Sequence, residues 1–183
     1  MTTDLQPILV GKRLTMQPLR EDDWDALFAA ASDPLIWELH PYNDRWQEPR
    51  FRSYFDEGMA TKGAFVAIDN ASGAVIGSSR YANYAPDRNE IEIGWTFLTR
   101  AYWGGAYNRE MKSLMLTHAF NFFDSVRFNI GASNFRSRGA IEKIGAQLDG
   151  EYDVSFQDRI IPHVIYRITK AQAIASDMVG GIL

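Results

Sequence analysis

The stretch Tyr102-Trp103-Gly104-Gly105-Ala106-Tyr107-Asn108-Arg109 decides how this chain is interpreted, because a strand-like segment precedes it and a helix-like segment follows it. Residues 90–98 alternate in the manner of a β-strand, and residues 108–123 carry apolar side chains at helical spacing. Backbone N–H groups at the start of a helix lack partners and carry partial positive charge, and glycine lets an anion approach them closely. The stretch therefore predicts a phosphate or other anion site.

The glycine turn alone does not identify a ligand. Many strand-to-helix turns contain glycine only because the chain bends there, and that interpretation stays open at this point. The stretch lacks the Gly-Lys-Ser/Thr ending of a Walker A loop, and it does not match the G-x-G-x-x-G dinucleotide fingerprint. The segments on either side of the turn must therefore decide what it binds.

The rest of the chain predicts a single α/β (α+β) domain. A strand at residues 13–19 precedes two helices, at about 23–33 and 49–60, and an antiparallel meander of three strands follows. After the helix at 108–123 we expect a strand at 128–133, a helix at 137–144 and a strand pair over 146–169. This order predicts a mixed, mostly antiparallel sheet of about seven strands with helices on both faces. The domain is predicted to cover residues 1–170, residues 171–183 are predicted to form a C-terminal tail, and this tail is expected to be loosely held from Met178 to Leu183.

Composition excludes several kinds of chemistry. The 183 residues include no cysteine, which removes disulfides, a thiolate nucleophile and cysteine-ligated metal. A net charge of −4 argues against broad nucleic-acid binding, which needs a basic face. The three histidines His40, His118 and His163 have no metal-ligand spacing, so we expect no metal. Without a signal-peptide pattern or a membrane-length apolar run, we expect a cytoplasmic location and no membrane partner.

Four motifs together resemble those of a known family. They are Glu92-Ile-Gly-Trp95, the glycine turn with Tyr102-Trp103 before it, Asn134-x-x-Ser137 and Glu142-Lys-x-Gly145. In this order they resemble the GNAT superfamily of N-acetyltransferases, and more narrowly its ribosomal-protein N-terminal acetyltransferase-like branch. The resemblance covers residues 8–169. The turn departs from the family pattern at two positions, with Ala106 in place of a glycine and Asn108 in place of a small residue. Asn108 could cap the following helix.

The resemblance implies a GNAT fold that binds acetyl-coenzyme A as co-substrate. The pyrophosphate would lie on the backbone amides of the turn, with Arg109 either adding a charged contact or remaining solvated. The strand before the turn would splay from its neighbour, and its amides would bind the pantetheine arm. Asn134 would bind the same arm, unless it only bonds its own backbone in a turn. The implied cofactor-binding residues are Trp95, Thr96, Phe97, Leu98, Trp103, Gly104, Gly105, Ala106, Tyr107, Asn108, Arg109, Asn134 and Ser137.

Transfer to an amine requires the amine in its neutral form, whereas a lysine amine titrates near ~10.4 and a chain N-terminus near ~8. A base or a water relay would therefore help, and Glu92 is the candidate base, acting through water. Strand alternation places Glu92 and Gly94 on one face of the strand and Ile93 and Trp95 on the other. Glu92 is therefore either close to the site or on a solvated face.

The leaving thiolate requires a proton donor. Many GNAT enzymes use a tyrosine at the position where this chain has Ile141, so that donor is missing. The resemblance offers the hydroxyl of Ser137 instead, with a helix N-cap as the alternative role for this serine. The carboxylate base of the branch has no clean match, and the nearby substitutes are Asp149, Glu151 and Asp153.

The acceptor site is expected between the first two helices and at the final hairpin turn, where Phe156, Gln157 and Arg159 lie. The candidate acceptor-binding residues are Trp37, His40, Tyr42 and Trp46. The acceptor would be a peptide N-terminus or a small-molecule amine, and assembly as a homodimer stays open. Two other functions also stay open: a CoA-binding sensor domain without catalysis, and an interaction module that uses the aromatic segment.

Overall fold

A mixed sheet of eight strands organises the computed structural model, which describes residues 3–156 and 158–180. Its spatial order is β1-β2-β3-β4-β5-β6-β8-β7, and the expectation of a mixed, mostly antiparallel sheet is confirmed. The strand that the sequence did not predict is the short β1 at one edge. The strands are β1 (Leu9–Val10), β2 (Leu14–Pro18), β3 (Ala64–Asp69), β4 (Val75–Ala85), β5 (Glu90–Leu98), β6 (Ser125–Gly131), β7 (Gln147–Phe156) and β8 (Arg159–Thr169).

Helices cover both faces of the sheet, as expected. On one face α1–α3 bury an aromatic-rich core that includes Trp37 and Phe51, and on the other α4–α6 bury a core that includes Met111 and Met115. The short α2 was not predicted, and it forms because Asp33 Oδ1 accepts the N–H of Leu35 at 3.0 Å. The helices are α1 (Trp24–Ala31), α2 (Pro34–Trp37), α3 (Glu48–Thr61), α4 (Ala106–Ala119), α5 (Phe135–Glu142) and α6 (Lys170–Ala175). Within the described residues, no helix is long and apolar enough to cross a membrane.

The pairing of β5 with β6 is parallel, unlike every other strand pairing in the described ranges, and it is short. It joins Glu90 to Ser125, Ile91 to Val126 and Glu92 to Arg127, and ends there. Beyond Glu92 the two strands separate, so the expected splay is present. The backbone of the second half of β5 therefore has no strand partner on its β6 side.

A β-bulge in β5 changes which side chains share a face. Trp95 has a left-handed backbone (φ 52°), and the register with β4 shifts between Ser78 and Arg80. Because a bulge inserts an extra residue into the two-residue alternation, Trp95 packs with the core under α1–α3, whereas Ile93 belongs to the core under α4. The expectation that Trp95 and Ile93 share a face is therefore wrong.

The C-terminal segment is folded rather than loosely held. Thr169 and Gln172 form a capping box at the start of α6, and Met178 is buried in the core beside α4. The hydroxyl of Ser113 donates to the carbonyl of Met178 at 2.5 Å. The prediction that the tail is loosely held from Met178 is therefore wrong for Met178 and Val179, which are buried, and residues 181–183 lie outside the described residues.

Candidate active site

A cavity of about 930 Å³ occupies the opening between β5 and β6. This volume is in the range of small-molecule and cofactor sites. The cavity extends from the glycine turn before α4 to the segment that links α2 and α3. It therefore brings together, on one surface, most of the residues that the sequence singled out: Trp37, His40, Tyr42, Glu92, Trp95, Thr96, Phe97, Leu98, Trp103, Gly104, Gly105, Asn108, Asn134 and Ser137.

The glycine turn at the start of α4 has the geometry of an anion site. Gly104 and Gly105 have φ values of +101° and +121°, which side-chain-bearing residues rarely adopt. Gly105 is the N-cap residue and provides no side-chain cap, so the N–H groups of the first helical turn are left without an intrahelical partner. Ala106 already lies in the helix, so its methyl group fits there. Because Asn108 lies inside the first turn, the expectation that it caps α4 is wrong.

Three side chains of the same stretch do not line the cavity. Tyr107 donates its hydroxyl to Asp69 Oδ1 at 2.9 Å, and the guanidinium of Arg109 donates to the carbonyls of Ser176 and Asp177 at 3.0 and 3.2 Å. Ala106 also lies outside the lining. The side chains of Tyr107 and Arg109 hold α4 against its neighbours, and any role of these three residues in anion binding falls to their backbone N–H groups.

Glu92 is buried and lines the cavity, and is not on a solvated face. Its Oε2 accepts a hydrogen bond from Asn83 Nδ2 at 2.8 Å and lies 3.6 Å from Arg127 Nε. A Cβ atom on Gly94 would come within 3.3 Å of Glu92 Oε1, so this glycine leaves room for the carboxylate. A carboxylate held by an amide and a guanidinium can receive a proton through water.

Asn134 and Ser137 meet at the start of α5. Asn134 Oδ1 accepts the backbone N–H of Ser137 at 3.2 Å, so Asn134 caps the helix and the alternative of Ser137 as N-cap does not hold. The half-buried hydroxyl of Ser137 faces the cavity and makes no hydrogen bond with the described residues. Ile141, at the position where a tyrosine donor was considered, is buried in the core.

The end of the cavity formed by the segment between α2 and α3, where the acceptor was expected, contains an arginine that the sequence did not indicate. The Arg45 guanidinium lies 4.9 Å from the ring of Tyr42, 5.2 Å from that of Tyr54 and 5.7 Å from that of Trp37. Its Nη1 is 3.2 Å from His40 Nε2. Burial, together with the charge of Arg45, holds the pKa of His40 well below 6.5, so this imidazole is neutral at pH 7.

The final hairpin contributes less to the site than expected. Phe156 lines the cavity and packs edge-on against Tyr42, with ring centroids 4.5 Å apart. Gln157 lies outside the described residues, and Arg159 and the exposed Trp46 do not line the cavity. The carboxylates of β7 that the sequence offered as substitutes for the base of the branch are exposed and lie outside the cavity lining. They therefore do not supply a base here: Asp149, Glu151 and Asp153.

Lys112 is a buried cavity residue that the sequence interpretation missed. Its Nζ donates to Thr96 Oγ1 at 2.6 Å and to Ser79 Oγ at 3.5 Å, and the side chain is only 3% exposed. Burial lowers the pKa of Lys112 to about 7. A signal was available, because Lys112 falls within the apolar stripe formed by Met111, Met115 and Ala119 of α4.

Residues 13–147, more than half of the chain, match the family model described as an acetyltransferase (GNAT) domain. The chain belongs to the GNAT family. It is therefore an acyltransferase, and the family resemblance drawn from the motifs is confirmed. GNAT acetyltransferases use acetyl-CoA as the acetyl donor.

Solved structures share the GNAT fold with this chain. A GCN5-related N-acetyltransferase from Brucella melitensis matches with a TM-score of 0.79 and 21% identity, over 93% of this chain and 82% of that one. A GNAT-family acetyltransferase from Bacillus anthracis matches with a TM-score of 0.76 and 20% identity, over 90% and 99%. RimJ from Mycobacterium smegmatis, in complex with CoA-disulfide, matches with a TM-score of 0.70 and 16% identity, over 90% and 87%.

The GNAT site of this chain fits acetyl-CoA on its own geometry. The uncapped amides at the start of α4 suit a pyrophosphate, and the unpaired edge of β5 offers hydrogen bonds to the amides of a pantetheine arm. The guanidinium of Arg136 lies 4.0 Å from the ring centroid of Trp103 at the same end of the cavity, and it also pairs with Glu38 at 3.3 Å. Among the described residues, no group of three or more His, Asp or Glu side chains could hold a metal ion.

Proposed function

We propose that this protein transfers an acetyl group from acetyl-CoA directly to a primary amine in a ternary complex. The observation that carries the proposal is the single cavity that joins the glycine turn of α4, the carboxylate of Glu92 and the Arg45 end. Because both substrates reach one cavity, the amine can attack the thioester without a carrier residue. The chain has no cysteine, which removes a cysteinyl acyl-enzyme route.

The amides of Gly104 to Arg109 hold the pyrophosphate at the cofactor end of the cavity. They are supported by Trp103, whose indole Nε1 donates to the carbonyl of Leu98 at 2.8 Å. Backbone groups of Trp95, Thr96, Phe97 and Leu98 bind the pantetheine arm, and Asn134 binds it with its side-chain amide. An N–H of this strand directed at the thioester carbonyl would stabilise the developing oxyanion.

Glu92 acts as the base in this proposal. Its carboxylate accepts the proton of the attacking amine through water, while Asn83 and Arg127 keep it oriented towards the cavity. Ser137 offers its free hydroxyl as a hydrogen-bond donor to the sulfur of the leaving group. Both side chains line the cavity, Glu92 on β5 and Ser137 on α5, the helix that follows β6.

The acceptor binds between Trp37, His40 and Tyr42, and it is a protein N-terminus or a small-molecule amine. Arg45 occupies the aromatic faces that could otherwise hold an amine cation. Its positive charge favours acceptors that carry a carboxylate or other anionic group near the amine, such as amino acids and acidic peptides, over polyamines. Trp46 is left out of this pocket because it does not line the cavity.

The test is thiol release from acetyl-CoA with a panel of amino acids, acidic and basic peptides, and polyamines, together with the melting temperature in the presence of acetyl-CoA. We expect acetyl-CoA to raise the melting temperature by mass action and at least one anionic amine to release thiol. A melting shift without turnover across the panel would make the protein a CoA-binding sensor. No shift at millimolar acetyl-CoA would overturn the proposal.

A further inference from the structure

The ammonium group of Lys112 is buried in the cavity wall without an acidic partner. Among the described residues, no carboxylate lies within 4 Å of its Nζ, and its neighbours are the hydroxyls of Thr96 and Ser79 and the ring of Phe128 at 5.7 Å. The carboxylates of β5, Glu90 and Glu92, are instead held by arginine and asparagine side chains. The strands β1 and β2, which pack on α4, carry no acidic side chain.

A structural role does not account for this lysine. Burying an amine without a countercharge costs stability, and an apolar side chain of similar length would pack in the same place. The neighbouring hydroxyls do not depend on the lysine either, because Ser79 Oγ and Thr96 Oγ1 are 2.8 Å apart and hydrogen-bond each other. What distinguishes lysine here is the proton that it can supply to the cavity.

The position of Lys112 places this proton where the thioester sulfur would lie. Thr96, its closest partner, is in the β5 segment that the proposed function assigns to the pantetheine arm. This segment runs between the glycine turn, where the pyrophosphate binds, and Glu92, where the amine is deprotonated. Lys112 reaches the segment from the α4 side of the sheet, whereas Glu92 extends from the opposite face, the one that Trp95 shares.

We propose that Lys112 is the proton donor to the departing thiolate of coenzyme A, an inference that rests on the proposed function. The acceptor nitrogen forms a C–N bond to the acetyl carbonyl carbon and loses one proton to Glu92 through water. The C–S bond breaks with its electron pair on sulfur, and Lys112 Nζ transfers a proton to that sulfur. Lys112 is left neutral and Glu92 protonated, and proton exchange with water restores both groups.

The burial of Lys112 suits this role, because a pKa of about 7 leaves the ammonium populated at neutral pH and makes it a better acid than an exposed lysine. Ser137 contributes a hydrogen bond to sulfur but does not ionise in this range, so it cannot take over the proton. The two side chains therefore give different dependences of rate on pH, which separates their roles.

The first experiment needs no acceptor. The ultraviolet absorbance of the CoA thiolate is measured against pH when CoA is bound to wild type, to K112M, or to K12M as the control, in which an exposed lysine outside the cavity is replaced. We expect the thiolate absorbance of bound CoA to begin to rise at lower pH in wild type than in K112M, because the thiol and Lys112 titrate as a coupled pair in which the thiolate and the ammonium stabilise each other. The affinity for desulfo-CoA should be the same in wild type and K112M. Equal thiol ionisation in both proteins would overturn the role of Lys112.

The second experiment measures turnover against pH with the best amine of the panel. We expect K112M to lower kcat about 100-fold with little change in the KM for acetyl-CoA, and to remove the fall in wild-type rate above pH 7. The arginine of K112R keeps a positive charge that does not titrate near pH 7. The rate of K112R should therefore also not fall above pH 7. A K112M protein with full kcat and an unchanged pH profile would overturn the proposal. If calorimetry detects no CoA binding to wild type, the proposed function fails, and this inference fails with it.

Discussion

The hydroxyl of Tyr54, on α3, donates a hydrogen bond of 2.5 Å to the carbonyl of Trp95, the left-handed residue of the β5 bulge. A left-handed backbone is unfavourable for a bulky side chain, so the surrounding structure must hold it in place. α3 thereby fixes the point where β5 turns away from β6 and the cavity opens.

We expect Y54F to hold the β5 bulge at Trp95 less firmly. Loss of the hydrogen bond should lower the free energy of unfolding by about 1 kcal/mol and raise the Kd for acetyl-CoA, because the bulge sets the direction of the β5 amides. Urea unfolding and calorimetry measure the two effects. A matched control is Y84F, since Tyr84 is half-exposed, its hydroxyl is 3.5 Å from Asn89 Oδ1, and it does not line the cavity. Unchanged CoA affinity in Y54F would contradict the role given to the bulge.

Gly105→Ala should impair acetyl-CoA binding. The φ of +121° at this N-cap is a conformation that alanine avoids, so the turn must either strain or rearrange, at a cost of about 1–3 kcal/mol. Gly73→Ala is the matched control, because Gly73 also has a positive φ (+72°) but lies in the β3–β4 turn outside the cavity. Both variants should lose stability, and only the Gly105 variant should lose CoA affinity in calorimetry. Equal CoA affinity in the two variants would show that this turn does not bind the pyrophosphate of CoA.

Replacing Glu92 by Gln should reduce kcat by about 100-fold or more and leave the Kd for acetyl-CoA nearly unchanged, because the amide cannot accept the proton of the amine. The control is Glu151→Gln, which removes an exposed carboxylate of β7 outside the cavity. Steady-state kinetics with the best amine and CoA titrations give both quantities. If the Glu92 variant were fully active, or if the Glu151 variant lost rate, the assignment of Glu92 as the base would be wrong.

The stability of the protein should depend on pH through Lys112. Its pKa falls from 10.5 to about 7 on folding, so between these values the unfolded chain binds more protons than the folded one. Stability therefore rises with pH across this window and is lowest, on account of this group, below pH 7. K112M should be more stable than wild type by about 2–4 kcal/mol at pH 6, with a smaller difference at pH 10. Urea unfolding at the two pH values checks this, and a constant difference would show that Lys112 does not titrate in the window.

Local sequence patterns were sufficient for most of the fold and for one end of the site. The spacing of apolar residues located α4, and the two glycines before it located the turn proposed as the anion site, because both signals arise within a few residues of the chain. Glu92 was identified as a candidate from its strand, and the structure buries it in the cavity. These features depend on short-range geometry that the sequence expresses directly.

The remaining features depend on contacts between distant segments. The bulge at Trp95 reverses the expected face of that residue, and its stabilising partner Tyr54 is 41 positions away. Arg109 turns away from the cavity towards its acceptors Ser176 and Asp177, which belong to the segment that was predicted to be a tail outside the domain. Lys112 was missed for the same reason, since the hydroxyls that surround it come from two other strands.

The first turns of α4 are anchored from three directions. Tyr107 binds Asp69 of β3, Glu110 accepts from the backbone and side chain of Arg13, and Arg109 binds the carbonyls after α6. All three anchors use side chains, so the amides at the helix start remain free and already have a fixed direction. Preorganisation of this kind reduces the conformational entropy lost when an anion binds. Loss of one of these side-chain hydrogen bonds, as in Tyr107→Phe, should therefore make the entropy of CoA association less favourable. The number of hydrogen bonds formed with CoA should stay the same.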